Sequence, residues 1–182
     1  VTVIRLHKKG TGQGSVDSPK LWIMPFDNLL IAVNQPPTKG TGFADDLGIT
    51  AKGRDPHLLV EQMQPALNRA TDWATTNGLE FGLAKTYAVL FTQDRDFDVS
   101  SLEKLTLYGE PIPYVEEVVY LGVTLNRHLD WKPHMEEKAK KAKNTLMAFN
   151  RAAGSTFGLK PRLMKYIYQT YVTPILTYGA LV

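Results

Sequence analysis

Phe43-Ala44-Asp45-Asp46-Leu47-Gly48-Ile49-Thr50 is the stretch on which the reading of the fold turns. Apolar residues flank a pair of acids, and the pattern predicts a tight strand–turn–strand with Asp45 and Asp46 at its tip. Two adjacent carboxylates repel, and each favours protonation of the other unless a cation intervenes. A hard divalent ion held by oxygen ligands removes that conflict, and Mg²⁺ (or Mn²⁺) is the natural candidate. On its own, Asp-Asp is also the sequence of an ordinary solvent-exposed turn.

Working upstream, Asn34–Gly42 (NQPPTKGTG) reads as a loop. Pro19–Val33 is apolar enough to be a buried helix, opened by Pro19 and bent by Pro25. Gly10–Ser15 is a glycine-bearing loop, and residues 1–6 read as a strand. Downstream, Asp55-Pro56 supplies an N-cap and a first-turn proline. Leu59, Met63, Leu67, Ala70 and Trp73 or Ala74 then follow at helical spacing, to about Thr76 before Asn77-Gly78. Pro65 conflicts with that helix and predicts a kink. Thr86–Thr92 alternates like a strand, Leu105–Pro113 reads as a small hairpin, and Glu117–Leu125 as another strand.

After residue 126 the texture changes. Met135, Ala139, Ala142, Leu146 and Phe149 form one apolar helix face with lysines on the others. Gly154–Gly158 is a break, and Pro161–Tyr171 a second helix stopped by Pro174. The class is therefore α+β, mixed strand and helix first and helices last.

Composition excludes several functions. At 182 residues, 43% hydrophobic and 21% charged, the chain has the usage of a globular domain, not of a disordered one. It has no cysteine, hence no disulfide framework, thiol nucleophile or Cys-ligated zinc. That permits an intracellular setting, cytoplasmic or nuclear. Runs such as Leu29–Val33 and Val118–Val123 fall far short of the ~20 residues a membrane helix needs, so no membrane partner is expected. The charge is uneven. Residues 1–131 carry 12 Lys/Arg against 16 Asp/Glu, whereas Lys132–Lys165 carries nine basic residues against Glu136 and Glu137. A basic helical segment after an acidic body suits a polyanion, or is simply a solvated helix face. The apolar ends, from Val1 and to Val182, suggest a piece of a longer polypeptide.

Phe43-Ala44-Asp45-Asp46 resembles the aromatic-x-Asp-Asp box of reverse transcriptases, and it has company in the expected order. Gln13-Gly14-Ser15-Val16-Asp17-Ser18-Pro19 is similar to the segment that precedes a palm helix in that family. Trp73, Gly78-Leu79 and Lys85-Thr86 fall where the family has its helix, its Gly-Leu turn and its Lys-Thr pair. Tyr120-Leu121-Gly122-Val123 resembles the primer grip, and Tyr168–Pro174, Leu176 and Tyr178-Gly179 resemble the end of the thumb helices. The likeness is greatest to the RNA-directed DNA polymerases of non-LTR retrotransposons. Departures exist: Gly12 stands for a usual Pro, Asp17 for an apolar residue at a cost if buried, and Gly42 and Gly48 would loosen the hairpin arms.

The resemblance implies a partial polymerase palm over residues 1–126, an antiparallel sheet with helices on one face, and a helical thumb over 127–182. It implies metal-dependent nucleotidyl transfer to a primer 3′-hydroxyl, with RNA template, DNA primer, deoxynucleoside triphosphates and the remainder of a parent polyprotein as partners. Asp45 and Asp46 would hold the catalytic metals. Gln13, Gly14 and Ser15 would shape the nucleotide wall, and Lys85 would steady the triphosphate or protonate pyrophosphate. Phe43, Tyr120, Leu121 and Gly122 would meet the primer, and Lys138, Lys141 and Lys143 the nucleic-acid backbone. The family's further metal-binding Asp is expected upstream, yet residues 1–12 contain no Asp or Glu. The fragment alone is therefore expected to be inactive. The alternatives are a non-catalytic nucleic-acid-binding module and a degenerate element remnant. The four histidines form no ligand set and read as incidental.

Overall fold

A computed structural model describes residues 14–152 and 160–180. The strand expected at residues 1–6, most of the Gly10–Ser15 loop and the Gly154–Gly158 break lie outside the described residues. The described chain divides into two units: one runs to Ala88 and includes Asp98–Pro113, the other comprises Val89–Phe97 and everything from Tyr114 onward.

In the first unit, helix α1 (Ser18–Val33) has Pro19 in its first turn, where the missing N–H costs nothing, and continues through Pro25. The expected buried helix is buried on one face only: Phe26, Leu29 and Val33 are buried, but Ile23, Met24 and Ile31 are more than half exposed. Its packing partners, a helix over Pro56–Asn77 and a strand over Thr38–Phe43, cover a single side. Helix α2 (Pro56–Asn77) begins at Asp55, whose carboxylate accepts the His57 N–H at 2.9 Å, and ends at Gly78 with φ 65°. Pro65 lies within the continuous helix and is solvent-exposed. The carbonyl it leaves unbonded belongs to Glu61, also exposed, so water can take the lost bond. Ala66, Ala70 and Ala74 form the buried seam of α2. Ala70 joins Phe26, Leu29 and Val33 in one core, ringed by Trp22, Leu47, Ile49 and Trp73.

Strands β1 (Thr38–Phe43) and β2 (Asp46–Ala51) pair antiparallel, Thr38 opposite Ala51 and Phe43 opposite Asp46. The loop expected over Asn34–Gly42 is thus confined to residues 34–37. Thr-Lys-Gly-Thr-Gly has little strand propensity, and close approach of helix and strand explains it. A Cβ on Gly40 would overlap Cγ2 of Val33, and one on Gly42 would overlap the Phe26 ring. Gly42 therefore seats an aromatic ring, a correction to the expectation that it loosens the arm. The small hairpin is present as β3 (Thr106–Leu107) and β4 (Glu110–Pro111), joined by Tyr108-Gly109 with φ 53° and 80°. The Gln64 side chain serves Thr106 as a strand would, accepting its N–H at 2.8 Å and donating to its carbonyl at 3.0 Å.

Thr86–Thr92 is not a strand. Its residues divide between the two units, its backbone N–H bonds are isolated (Thr86 to Leu83, Ala88 to Pro113 and Thr92 to Arg127), and nothing longer than a single bridge at Ala88 forms among the described residues.

The second unit corrects three further expectations. Glu117–Leu125 is not one strand but a hairpin, β5 (Glu117–Tyr120) and β6 (Val123–Asn126), reversing at Leu121-Gly122. Helix α3 (Lys132–Ala152) buries His134, Lys138 and Ala142, while Met135 and Ala139 are exposed. In the first half of α3 the buried face lies one residue before the expected stripe, because two polar side chains find partners there, whereas Ala142 is buried and Leu146 and Phe149 half-buried as expected. Pro174 does not stop the last helix. Helix α4 (Pro161–Ile167) passes through a π-turn (Tyr168–Val172) into α5 (Thr173–Thr177), and the wider turn accommodates the proline's missing N–H. Phe149 of α3 packs on Tyr171, ring centroids 5.4 Å apart.

Among the described residues the three strand pairs are separate two-stranded ladders. The class is α+β as expected, but the expected sheet is not continuous, since each hairpin pairs only with itself. No helix of the described residues is long and apolar enough to cross a membrane.

Candidate functional site

The acidic turn is the first candidate. Phe43 and Asp46 close the β1–β2 ladder, leaving Ala44-Asp45 as a two-residue turn. Ala44 has φ 53°, a left-handed conformation uncommon without glycine. What holds it is Trp22 of α1, whose Nε1–H donates to the Ala44 carbonyl at 2.7 Å. The Trp22 ring packs against Phe26 at 5.8 Å between centroids. The helix that builds the core of this unit therefore fixes the backbone of the acidic tip.

Asp45, Asp46 and Phe43 all face solvent, Phe43 at 64% exposure. Two carboxylates at a turn offer hard oxygen donors of the kind Mg²⁺ or Mn²⁺ takes. Among the described residues no group of three or more His, Cys, Asp or Glu could hold a metal, so the pair fits part of a coordination shell.

Gln13 lies outside the described residues. Gly14 has φ 84° with nothing near its absent Cβ, and Ser15 accepts the Ser18 N–H at 3.2 Å. Asp17 is exposed at the N-cap of α1, so the cost expected for burying it does not arise. Lys85 is exposed at the end of a 3₁₀ turn (Leu83–Lys85), and no ion pair joins it to Asp45 or Asp46 among the described residues.

The second candidate is the Leu121-Gly122 turn, with φ 48° and 75°. Positive φ at both central residues suits a tight hairpin, although leucine rarely supplies it. Both of its carbonyls are engaged. Tyr178 Oη donates to Leu121 O at 2.7 Å, and Lys138 Nζ donates to Gly122 O at 2.8 Å. The Lys138 ammonium also lies over the Tyr178 ring, 5.1 Å from its centroid. Gly122, Lys138, Lys141, Pro174, Ile175 and Tyr178 line a cleft of about 310 Å³. Tyr120 is half-buried on β5, and Leu121 is 37% exposed.

His134 is not incidental. Its Nδ1 accepts the Thr124 N–H at 3.2 Å, leaving Nε2–H to donate to the Tyr178 carbonyl at 2.9 Å. The Thr124 hydroxyl donates to Glu137 at 2.7 Å. That bond, aided by the charges of Lys138 and Lys141, holds the Glu137 carboxyl below its ordinary range against partial desolvation. Lys141 and Lys143 are exposed, whereas Lys138 is buried against the turn. Arg127, also buried, donates to the Phe97 carbonyl and meets Glu116 at 3.4 Å, which ties residues 89–97 to this unit.

Sequence reasoning missed Trp22, His134, Lys138 and Tyr178 in these roles. The spacing of His134, Lys138 and Ala142 at i, i+4, i+8 was the available signal for the true inner face of α3.

No family model matches the chain, and no solved structure matches it. Curated proteins do. The chain is 25% identical to the putative 115 kDa protein in type-1 retrotransposable element R1DM of Drosophila melanogaster, over 94% of the chain and 16% of that protein. It is 24% identical to the RNA-directed DNA polymerase from mobile element jockey of Drosophila funebris, over 97% of the chain and 19% of that protein. It is 27% identical to the probable RNA-directed DNA polymerase from transposon X-element of Drosophila melanogaster, over 93% of the chain and 18% of that protein. The chain thus spans less than a fifth of the length of each. Throughout nearly all of its own length, the chain is a homologue of the RNA-directed DNA polymerases of non-LTR retrotransposons.

Proposed function

We propose that the chain carries part of the nucleotidyl-transfer machinery of a retrotransposon RNA-directed DNA polymerase, with an RNA template, a DNA primer and deoxynucleoside triphosphates as its partners. The observation that carries the proposal is the exposed Asp45–Asp46 pair on a turn whose backbone is tied to α1 by Trp22. An adjacent carboxylate pair held at a fixed, solvent-facing tip is what binding of a divalent ion to a phosphate-bearing substrate needs.

In this reading Asp45 and Asp46 hold Mg²⁺ or Mn²⁺, which when bound stabilises the charge of an in-line phosphoryl displacement. Phe43, beside the acids and exposed, rests against the primer terminus. Gln13, Gly14 and Ser15 line the incoming nucleotide, and Lys85 binds its phosphates or returns a proton to the leaving pyrophosphate. Tyr120, Leu121 and Gly122 meet the primer backbone, where a glycine permits close approach. Lys141 and Lys143 contact phosphates without reading sequence. Residues 1–126 correspond to a partial palm and 127–182 to a helical thumb. The rest of the polymerase activity belongs to a larger polyprotein, as in the relatives.

Iron-directed cleavage tests the reading. With Fe²⁺ in place of Mg²⁺, peroxide and ascorbate should cut a bound RNA–DNA hybrid within a few nucleotides of the recessed primer 3′ end, and Asp45→Asn should abolish that focus. Unfocused cleavage, or a focus that survives Asp45→Asn, would remove the metal role of the acidic turn. Even binding without any focus would favour the non-catalytic nucleic-acid-binding reading.

A further inference from the structure

Lys138 is an unusual occupant of a helix interface. It is 9% exposed, and among the described residues no carboxylate lies within ion-pair distance of it. Burying a lysine charge without a carboxylate is costly unless other groups satisfy the ammonium. Here a backbone carbonyl and an aromatic face do so, and both belong to one small assembly. The ammonium bonds Gly122 O and sits over Tyr178, while Tyr178 in turn bonds Leu121 O. The two carbonyls at the centre of the β5–β6 turn are thus held by two side chains far from it in sequence.

The same assembly is braced from behind. His134 bonds the Tyr178 carbonyl and, through its other nitrogen, the Thr124 N–H of β6. The Tyr178 ring closes on the turn so tightly that a Cβ at Gly122 would lie 3.2 Å from its Cε1. Leu121, in a left-handed conformation that leucine seldom adopts, needs such external support. A hairpin that served only to reverse the chain could use Asn-Gly without any of this.

We propose that Tyr178 and Lys138 are positioning residues that lock the Leu121-Gly122 turn in the single conformation that receives a primer 3′ end. The inference rests on the reading of that turn as primer-contacting, and adds the groups that set its shape. Neither side chain touches the primer in this account; both act through the turn's backbone.

The test compares the whole chain with Tyr178→Phe, which keeps the ring over the ammonium and loses only the hydroxyl, and with Lys138→Met, which keeps the aliphatic stem. Fluorescence anisotropy measures affinity for an RNA–DNA hybrid with a recessed primer 3′ end and for the same hybrid made blunt. Circular dichroism checks helix content. Wild type should favour the recessed end. Tyr178→Phe should cut that preference about fivefold, the size of one neutral hydrogen bond, with blunt-hybrid affinity and its salt slope unchanged. Lys138→Met should cut the preference further. If Tyr178→Phe loses helix content, Lys138→Met decides. Full preference in a folded variant overturns the clamp and leaves the primer reading standing. No preference in wild type overturns that reading and the clamp's purpose with it.

Discussion

Gly42→Ala is the sharpest perturbation of the acidic hairpin. A Cβ there would overlap Cε1 of Phe26 and come within 2.8 Å of its Cζ, where ordinary contacts begin at 3.4 Å. The ring is buried among Leu29, Val33 and Ala70, so it has little room to retreat. Gly42 does not lie in the left-handed region, so the effect is steric, not torsional. Overpacking of this kind costs about 1–3 kcal/mol. Replacing glycine in the unfolded chain returns about 0.4–1 kcal/mol. A net loss of roughly 1–2 kcal/mol should result. Urea titration followed through the amide NMR signals of β1 and β2 measures it in the first unit alone. Phe26→Leu, which removes the clashing atoms, should make the two substitutions non-additive by about 1 kcal/mol or more. An unchanged midpoint, or strict additivity in the double variant, would refute the packing argument.

Two other outcomes follow from the second unit. The Glu137 carboxyl is held below its ordinary range by the Thr124 hydroxyl, so its contribution is fully present above the unfolded value of about 4.3 and disappears as pH falls through the lower folded value. Carbonyl-detected NMR should show Glu137 titrating below the ordinary glutamate range, and Glu137→Gln should lower the stability of this unit at pH 7 but not at pH 2. Titration of Glu137 within the ordinary glutamate range would contradict the assignment. Lys141→Ala with Lys143→Ala should weaken hybrid binding evenly across sequences and flatten the slope of log K against log salt by up to about 2. A slope equal to wild type would make these lysines solvated surface charges.

The acidic turn was legible because its signal is local: two acids between apolar residues, with strand-like arms. The starts of α1 and α2 were legible for the same reason, since Pro19, Asp55 and Pro56 act on their own first turns. What pattern reading could not supply was partnership across the chain. Thr38–Gly42 is a strand because Val33 and Phe26 leave space only for glycine, a fact that no property of Gly40 or Gly42 alone announces. The Leu121-Gly122 reversal looked like strand interior because leucine is a poor turn residue, and Tyr178 and Lys138 are what hold it. Polarity places Lys138 off the apolar stripe of α3 and leaves His134 incidental, yet each has partners that make the inside tolerable. Pro174 reads as a stop because the π-turn that absorbs it has no sequence signature of its own.

The central claim is that Asp45 and Asp46 bind a divalent ion, and calorimetric titration with Mn²⁺ tests it most directly. Wild type should bind weakly, because the described residues contribute two carboxylates and no third ligand group. Asp45→Asn should reduce that binding, and Mg²⁺ should compete for the site. Trp22→Phe, which removes the hydrogen bond to Ala44 while keeping an aromatic ring, should weaken it less than Asp45→Asn does. Equal Mn²⁺ binding by wild type and Asp45→Asn would contradict the account at its foundation.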